Sequence, residues 1–450
     1  MISVLVQNFG RFVASTRYKD LPEAVVEAVK IRFLDTIGAG LAGFYLGHHQ
    51  PLQNVLQSTG DATVWGSGLR YSPRDATLLN SFLAHACYID DGSRFTGGHP
   101  SSVVIPSAFA LAETQNFSGM DLITATAAGY EIFLRLGRSI YPSVVRRGFQ
   151  STAILGAVAS AAACASVLRL DAPASQNAMA IACNLGVGLK EALKSSRSQP
   201  LQVGRSCEAG LLSALYARAG AEGVDSIIEN GFFKAFAGEA NDQNILDGLG
   251  SDFRIFETYI KIHGGCRGNH APIDAVRAIV TANGISANEI ARIRVAVDSV
   301  TFAAEIHAPI NGAQAQFSIA FAVAIAIAEG NASVFQYTDE KLSDPMIRRL
   351  MERVQVVVDS VLDKGYPEKR GARAEVSLKD GRQFVQSLEN ARGEPELPLT
   401  REEVEEKFFI IGDTVLGANC RPVRDLIMRL ETLTSIHELA RILVGISNRP

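Results

Sequence analysis

The segment 151–168 carries no charged side chain and is rich in Ala and Ser. It is only weakly apolar, which is untypical of a membrane span, and the more apolar segment 317–328 is too short to cross a bilayer. A helix without a polar face has to be buried on every side. The two segments therefore predict helices inside a large helical core, and no interaction with a membrane.

The composition agrees with a large core. With 450 residues, 47% of them hydrophobic, the chain is long enough for two or three domains. The 43 Lys and Arg nearly balance the 47 Asp and Glu, and aromatic residues make up 7%, so we expect no nucleic-acid partner. The six cysteines form no CxxC pair, and the N-terminal segment lacks the basic region of a secretory signal. These features predict a cytoplasmic protein with reduced thiols.

Helical periodicity dominates the first half of the chain. After Pro22, which suits a first helical turn, Val25, Val29 and Phe33 lie on one stripe. The same spacing predicts further helices over 73–86, 101–113, 118–141, 151–168, 175–193 and 204–219. Before about residue 255 the sequence contains no convincing strand pair.

Strand patterns appear in the second half. Ile293, Val295 and Val297 alternate with polar or small residues, as in a half-buried strand, and Asp380-Gly381 is typical of a hairpin turn. Strands are predicted over 290–298, 354–359, 374–378 and 383–388. Helices are predicted over 272–283, 314–329 and 344–353. This region is therefore predicted to be an α+β domain with a small antiparallel sheet. After Thr400, acidic residues typical of a first helical turn predict that the chain is helical again.

Two clusters of polar residues are candidates for chemistry. In the first, His85, Asp90 and Asp91 end one helix, and His99 stands at the start of the next, where a helix N-terminus favours the neutral imidazole. The alternative is that the acids cap the loop and His99 is a structural hydrogen-bonding residue. These residue types suit a metal, but their spacing matches no ligand pattern, so no metal is predicted.

The second cluster stands where the helical pattern gives way to the α+β pattern. It collects Lys261, His263, Cys266, Arg267 and His270 beside flexible glycines. One alternative is a basic linker that caps the next helix, and another is a Cys266 nucleophile with one of the histidines as its base. A third group either binds carboxylates or is a solvated helix end; it consists of Lys190, Lys194, Arg197, Gln199, Gln202 and Arg205.

The clusters and several other segments resemble the MmgE/PrpD family, which includes 2-methylcitrate dehydratase, cis-aconitate decarboxylase and iminodisuccinate epimerase. The similarity runs over nearly the whole chain. It is carried by Leu34-Asp35-Thr36, the block 90–101, Val104-Ile105-Pro106, Gly129-Tyr130-Glu131, the stretch 266–275 and Gln316-Phe317-Ser318.

The resemblance implies a mainly α fold: a discontinuous helical domain, here residues 1–268 and 396–450, with an inserted α+β lid domain, residues 269–395. It also implies a homodimer, a site between the domains, a small di- or tricarboxylate substrate, and no cofactor. Several positions differ from the dehydratase and decarboxylase pattern, namely Tyr88, Gly92, Gln150, Gln199, Gln202 and Phe321.

The resulting hypothesis is a lyase or isomerase that removes a proton next to a carboxylate. His99 and His270 would be base and acid on opposite sides of the substrate, and Asp90 or Asp91 would orient a histidine or assist proton transfer. The predicted substrate-binding residues are Tyr88, Arg94, Gln150, Lys194, Arg197, Gln199, Gln202, Lys261, His263, Cys266 and Arg267. The alternatives are an epimerase of a dicarboxylate, a carboxylate-binding homologue without activity, and a metal hydrolase.

Overall fold

The computed structural model describes residues 4–194, 198–238 and 244–445. The chain forms two compact units. Unit 1 consists of the residues up to Ala86, of Asp90–Thr258 and of the residues from Thr400 onward, and unit 2 of Cys87–Ile89 and Tyr259–Leu399. Helices predominate and the sheets are small, which confirms the prediction of a mainly α fold.

Unit 1 is built almost entirely of helices. Its α-helices are Leu5–Ser15, Glu23–Tyr45, Gln50–Gln53, Pro73–Ala86, Ser101–Thr114, Gly119–Ile140, Ser143–Arg146, Ser151–Val167, Ala172–Ala182, Ser198–Arg218, Phe233–Phe236, Arg401–Val415, Cys420–Met428 and His437–Ile442. Among the residues described, none of the helices is long and apolar enough to cross a membrane.

The helix Ser151–Val167 lies at the centre of unit 1, and every residue of this helix except Ser166 is buried. Small residues let the neighbouring helices come close to it. A Cβ atom added to Gly129 of helix Gly119–Ile140 would lie 3.0 Å from Ala163 Cβ and 2.7 Å from Val104 Cγ1. The short distance between the helices leaves no room for larger side chains, so the Ala-rich sequence that predicted a buried helix is also the one that this close packing requires.

The helix Arg401–Val415 packs against Glu23–Tyr45, near the start of the chain. Lys407 Nζ is 2.5 Å from Oδ1 of the fully buried Asp35, and Phe408 lies against Gly38. Removing either member of a buried ion pair leaves an uncompensated charge, so this contact depends on both. The C-terminal helices therefore belong to the core of unit 1.

Two local predictions for unit 1 were wrong. The helix predicted over 175–193 ends at Ala182, and the following loop passes against helix Ser151–Val167, so closely that a Cβ on Gly186 would lie 2.6 Å from the Ile154 carbonyl oxygen. A short antiparallel pair, β1 (Ala62–Thr63) and β2 (Arg70–Tyr71), precedes residue 255, where no strand pair was expected.

Unit 2 has a four-stranded sheet of β3 (Ile290–Val297), β4 (Val354–Val358), β5 (Ala372–Leu378) and β6 (Gln383–Leu388). The order β4-β3-β5-β6 contains one parallel pair, β3 with β4, so the sheet is mixed rather than antiparallel. The predicted β5–β6 hairpin is present, and Gly381 in its turn has a φ of 93°, which favours glycine.

The helices of unit 2 are His270–Asn283, Ser299–Ala304, Gly312–Ala315, Ile319–Glu329, Asp339–Ser343, Pro345–Met351 and Ser360–Gly365. The helix predicted over 314–329 is interrupted, because Ser318 caps a new helix by accepting a hydrogen bond from the Phe321 N–H. Ile319 and Val323 of that helix pack with Ile293 and Val295 of β3 in the core of the unit.

Candidate functional site

His99 is held by its neighbours in one orientation. It lies just before the helix Ser101–Thr114, and its backbone N–H donates to Thr152 Oγ1 at 3.1 Å. Its ring Nδ1 is 2.5 Å from the carbonyl oxygen of Asp91. Because a carbonyl oxygen only accepts, Nδ1 carries the proton and the lone pair is on Nε2. With 16% of its side chain exposed, His99 is arranged as a base that acts through Nε2.

Asp90 lies beside two imidazole rings. Its Oδ2 is 2.7 Å from His85 Nδ1, and its Oδ1 is 3.5 Å from His99 Nδ1. Asp90 and His85 are fully buried, and the two imidazole rings are 4.9 Å apart between centroids. A buried carboxylate at this distance stabilises the imidazolium that forms when His99 takes up a proton.

Asp91 organises the loop that carries His99. Its Oδ1 accepts a hydrogen bond from the Ser101 N–H at 3.0 Å, and its Oδ2 accepts one from the Tyr130 hydroxyl at 2.8 Å. Burial raises the pKa of Asp91 to about 6, although Arg32 and these hydrogen bonds lower it. The side chain therefore fixes the helix start, while the backbone carbonyl of the same residue fixes the tautomer of His99.

The first cluster also has the residue types for a metal. The ligand atoms of His85, Asp90 and His99 all lie within 4.8 Å of one another. Among the described residues, these three form the group of histidine, cysteine and acidic side chains that could hold a metal ion. A metal held by His99 would take either Nδ1, replacing its bond to the Asp91 carbonyl, or Nε2, which carries the basic lone pair. The arrangement thus serves either proton transfer by His99 or metal binding, but not both at once.

The second cluster lies in unit 2. Lys261 is buried, and its Nζ donates to the backbone carbonyl of Tyr88 at 2.7 Å. Tyr88 has a φ of 53°, which is uncommon for a residue with a side chain, and its ring packs edge-on against Phe317 at 4.8 Å. The structure therefore brings two predicted binding residues, Lys261 and Tyr88, into direct contact.

The two histidines of this cluster lie together, with ring centroids 5.3 Å apart. His263 Nε2 is 2.8 Å from Asp274 Oδ1. Although burial raises the pKa of Asp274, the hydrogen bond and charge of His263 outweigh it and lower that pKa. His270 is fully buried at the first position of its helix, and Asn269 donates to the Gln316 carbonyl instead of capping that helix. Asp274 thus orients His263, whose ring packs against that of His270.

Arg267 is already engaged by a carboxylate. Its Nε and Nη2 lie 2.8 Å and 2.7 Å from Oε1 of the buried Glu394, and its Nη1 donates to the Arg392 carbonyl at 3.2 Å. The guanidinium also stacks on the Tyr259 ring, 4.6 Å from its centroid. A substrate carboxylate would therefore have to compete with Glu394 for Arg267. Cys266, next to it, is half-buried.

Gln150 and Gln202 both bind one loop of unit 1. Gln150 caps helix Ser151–Val167 through its side chain, and its backbone N–H donates to the Gly188 carbonyl at 2.9 Å. Gln202 Nε2 donates to the Leu189 carbonyl at 3.4 Å. Gln199 is buried, whereas Arg197 and the side chain of Lys194 lie outside what the structure describes.

Arg94 is buried as well, with its guanidinium 4.6 Å from the centroid of the Phe95 ring. Sequence reasoning missed the partners that position the predicted residues: Tyr130 for Asp91, Asp274 for His263, and Glu394 for Arg267. Tyr130 and Asp274 stand in segments that carried the family resemblance. Glu394 gave no signal, since it is far from Arg267 along the chain.

Comparison with known proteins matches both parts of the chain to one family. Residues 7–244 match the MmgE/PrpD N-terminal domain, and residues 263–431 match the MmgE/PrpD C-terminal domain. The chain is 26% identical to a cis-aconitate decarboxylase of Aspergillus terreus, with 94% of this chain and 92% of that protein aligned.

Two further relatives carry related names. A cis-aconitate decarboxylase of Homo sapiens is 24% identical, covering 99% of this chain and 95% of that protein. A mitochondrial 2-methylcitrate dehydratase of Yarrowia lipolytica is 24% identical, covering 84% of this chain and 77% of that protein. Both domain matches and the length of these alignments lead to one conclusion: the chain belongs to the MmgE/PrpD family.

Proposed function

We propose that this protein is a lyase that acts on a small di- or tricarboxylate by removing a proton next to a carboxylate, without a cofactor. The observation that carries the proposal is the bond from His99 Nδ1 to the Asp91 carbonyl, which places the basic lone pair on Nε2. The relatives named as a decarboxylase and a dehydratase support the choice of reaction and of substrate class.

In the proposed reaction, His99 Nε2 takes the proton from carbon, and the electron pair moves into the adjacent carboxylate. Asp90 stabilises the imidazolium that results, 3.5 Å away. General base catalysis of this kind contributes about 10²–10⁴-fold to the rate. If a hydroxyl then leaves as water, the reaction is a dehydration. A decarboxylation proceeds without that first proton removal: the carbon–carbon bond to one carboxylate breaks, CO₂ leaves, and the electron pair that remains on carbon takes up a proton from an acid.

His270 is proposed as the second proton-transfer group. It is fully buried, and its neighbour His263 is anchored by Asp274, so the ring has a defined environment. Lys261 and Arg267 are proposed to provide positive charge for the dianion that forms on the substrate. Because Arg267 is paired with Glu394, Lys261 is the stronger candidate for direct contact.

An epimerase is the second candidate. In unit 1, Gln150 and Gln202 bind backbone groups of the loop that contains Gly188 and Leu189. At these two positions the sequence differs from the dehydratase and decarboxylase pattern of the family. The amide side chain of glutamine transfers no proton at neutral pH, so neither residue can act as an acid or a base. A site with fewer acid–base groups suits a proton that leaves and returns at the same carbon. A protein that only binds carboxylates is the remaining alternative.

The reaction is tested by incubating the purified protein in D₂O with cis-aconitate, with 2-methylcitrate and with a panel of other small carboxylates, followed by proton NMR. New products support a lyase, and deuterium incorporation without a new product supports an epimerase. The absence of any change throughout the panel, together with saturable binding, would leave a binding protein. Elemental analysis and activity in the presence of a chelator decide the metal alternative.

We further propose a cytoplasmic homodimer. None of the six cysteines, all of which the structure describes, forms a disulfide, and five of them are buried, as expected in a reducing compartment. In unit 1, large apolar side chains are exposed on the loop after Ala182 and on the neighbouring helix Ser198–Arg218, including Val187 at 66% and Tyr216 at 60%. Exposed apolar surface of this kind is typical of subunit contacts. Light scattering tests the dimer, and Val187→Lys is expected to weaken it.

A further inference from the structure

A second arginine of unit 2 lies beside the second cluster. Arg370 stands just before β5, and its Nη2 is 3.6 Å from the place where a Cβ atom on Gly268 would lie. The same added Cβ would lie 2.8 Å from Thr301 Cγ2, which is too close for a real side chain. The glycine therefore allows Thr301 and Arg370 to approach the segment 266–270, which forms part of that cluster.

A chain of hydrogen bonds holds Arg370 in place. Its Nε donates to Thr301 Oγ1 at 3.2 Å, and the Thr301 hydroxyl donates in turn to Asp298 Oδ2 at 2.7 Å. Thr301 and Asp298 are both buried. The backbone N–H of Arg370 donates to Asn390 Oδ1 at 3.1 Å, and the guanidinium carbon is 5.9 Å from the centroid of the Tyr366 ring. The guanidinium group thus has a defined position.

Arg267 and Arg370 differ in what their guanidinium groups bind. Arg267 is paired with the buried Glu394. Within the described part of the chain, Arg370 forms no ion pair, and its terminal nitrogens Nη1 and Nη2 have no hydrogen-bond partner. Its side chain is half-buried. A fixed guanidinium fork that no protein carboxylate occupies is suited to the two oxygens of a ligand carboxylate.

We propose that Arg370 binds a carboxylate of the substrate, and that the substrate carries at least two carboxylates. One of them, next to the carbon that loses the proton, is the group assigned above to Lys261. The other accepts two parallel hydrogen bonds from Nη1 and Nη2 of Arg370. This assignment rests on the proposed function, and it explains how unit 2 would select a di- or tricarboxylate although Arg267 is already engaged by Glu394.

The test compares three saturated probes with the full-length protein by ligand-observed NMR titration. Propane-1,2,3-tricarboxylate has three carboxylates, glutarate lacks the central one, and butyrate also lacks one of the terminal ones. We expect the binding to weaken with each carboxylate that is lost. Equal binding of glutarate and butyrate, or no saturable binding of the tricarboxylate, would overturn the proposal.

Variants assign the contact. Arg370→Met is expected to weaken binding of the tricarboxylate about tenfold to hundredfold, as for loss of hydrogen bonds between charged groups. Arg370→Lys keeps the charge but not the fork, so its loss should be smaller. Both should reduce the preference for glutarate over butyrate, whereas a merely structural role would weaken all probes alike. Arg349→Met, at an exposed position of unit 2, is the matched control.

Thermal unfolding of each variant verifies the fold. Unchanged binding of the tricarboxylate in folded Arg370→Met contradicts the assignment, and so does unchanged binding in folded Arg370→Lys if the Met variant does not fold.

Turnover separates this assignment from the proposed function. With a carboxylate that the wild type converts, Arg370→Met should raise KM about tenfold to hundredfold and change kcat much less, since the contact exists before the reaction begins. If the wild type converts such a carboxylate and Arg370→Met has the same KM, the assignment of Arg370 fails alone. If the wild type converts none of the panel, the lyase proposal fails, and binding of the three probes still decides the role of Arg370.

Discussion

Replacing Glu305 by Gln is expected to stabilise the protein, and to do so more at high pH than at low pH. Burial raises the pKa of this carboxyl from 4.5 to about 7, against the opposing effect of the Ile319 and Ala320 N–H groups. The folded state therefore holds the Glu305 proton more tightly than the unfolded state. Between pH 4.5 and 7 the unfolded carboxyl ionises first, so this group lowers the free energy of unfolding as the pH rises.

The size of the effect follows from the shift. From 4.5 to about 7 is a difference of about 2.5 pKa units. At 1.36 kcal/mol per unit, this corresponds to a penalty of about 3 kcal/mol once the group is ionised in both states. At pH 5 the penalty falls to about 1 kcal/mol or less, because the folded carboxyl is still protonated. Charges at His307, Arg348 and Glu352, which line one cavity of unit 2 together with Glu305, are common to both proteins.

The assay is urea unfolding of the wild type and of Glu305→Gln at pH 5 and pH 8, followed by far-ultraviolet circular dichroism. The variant should gain about 2 kcal/mol more at pH 8 than at pH 5. Glu368→Gln removes an exposed carboxylate and should show no such difference. An equal effect of Glu305→Gln at the two pH values would refute the argument that burial perturbs this group.

Three further variants test the contacts around the candidate site by the free energy of unfolding in urea. Tyr130→Phe leaves Asp91 Oδ2 without its donor and should cost about 1–3 kcal/mol; no loss would mean that water replaces the hydroxyl. Arg267→Met removes the guanidinium that contacts the buried carboxylate of Glu394 and should cost about 3–5 kcal/mol, and adding Glu394→Gln should restore much of it. If the double variant is no more stable than the single one, the ion pair is not the cause. Gln150→Ala removes a helix cap and should cost about 1 kcal/mol, so an unchanged midpoint would argue against the cap.

Local patterns predicted the elements that local chemistry determines. The Asp380-Gly381 turn and the alternation through Ile293, Val295 and Val297 predicted strands that the structure contains. The parallel pairing of β3 with β4 was not predictable, because periodicity shows that a strand exists and not which strand lies beside it. The helix that ends at Ala182 was overestimated for a similar reason: its end is set by packing of a distant helix.

The candidate site shows the same division. His99, Asp90 and Asp91 were recognised from residue type and from their position at helix ends, and the structure brings them together. The role of Arg267 depends on Glu394, 127 residues further along the chain, and no local signal connects them. A buried ion pair of this kind is determined by tertiary packing, so sequence reasoning assigned to Arg267 only the general role of a cation.

The central claim is that His99 removes a proton from carbon next to a carboxylate. The most direct measurement is proton NMR in D₂O of turnover and deuterium incorporation by the wild type, by His99→Gln, and by His437→Gln as a control at an exposed histidine. The account predicts turnover or exchange by the wild type and the control, and a loss of about 10²-fold or more in His99→Gln, with unchanged thermal unfolding. A folded His99→Gln protein with wild-type turnover would contradict it.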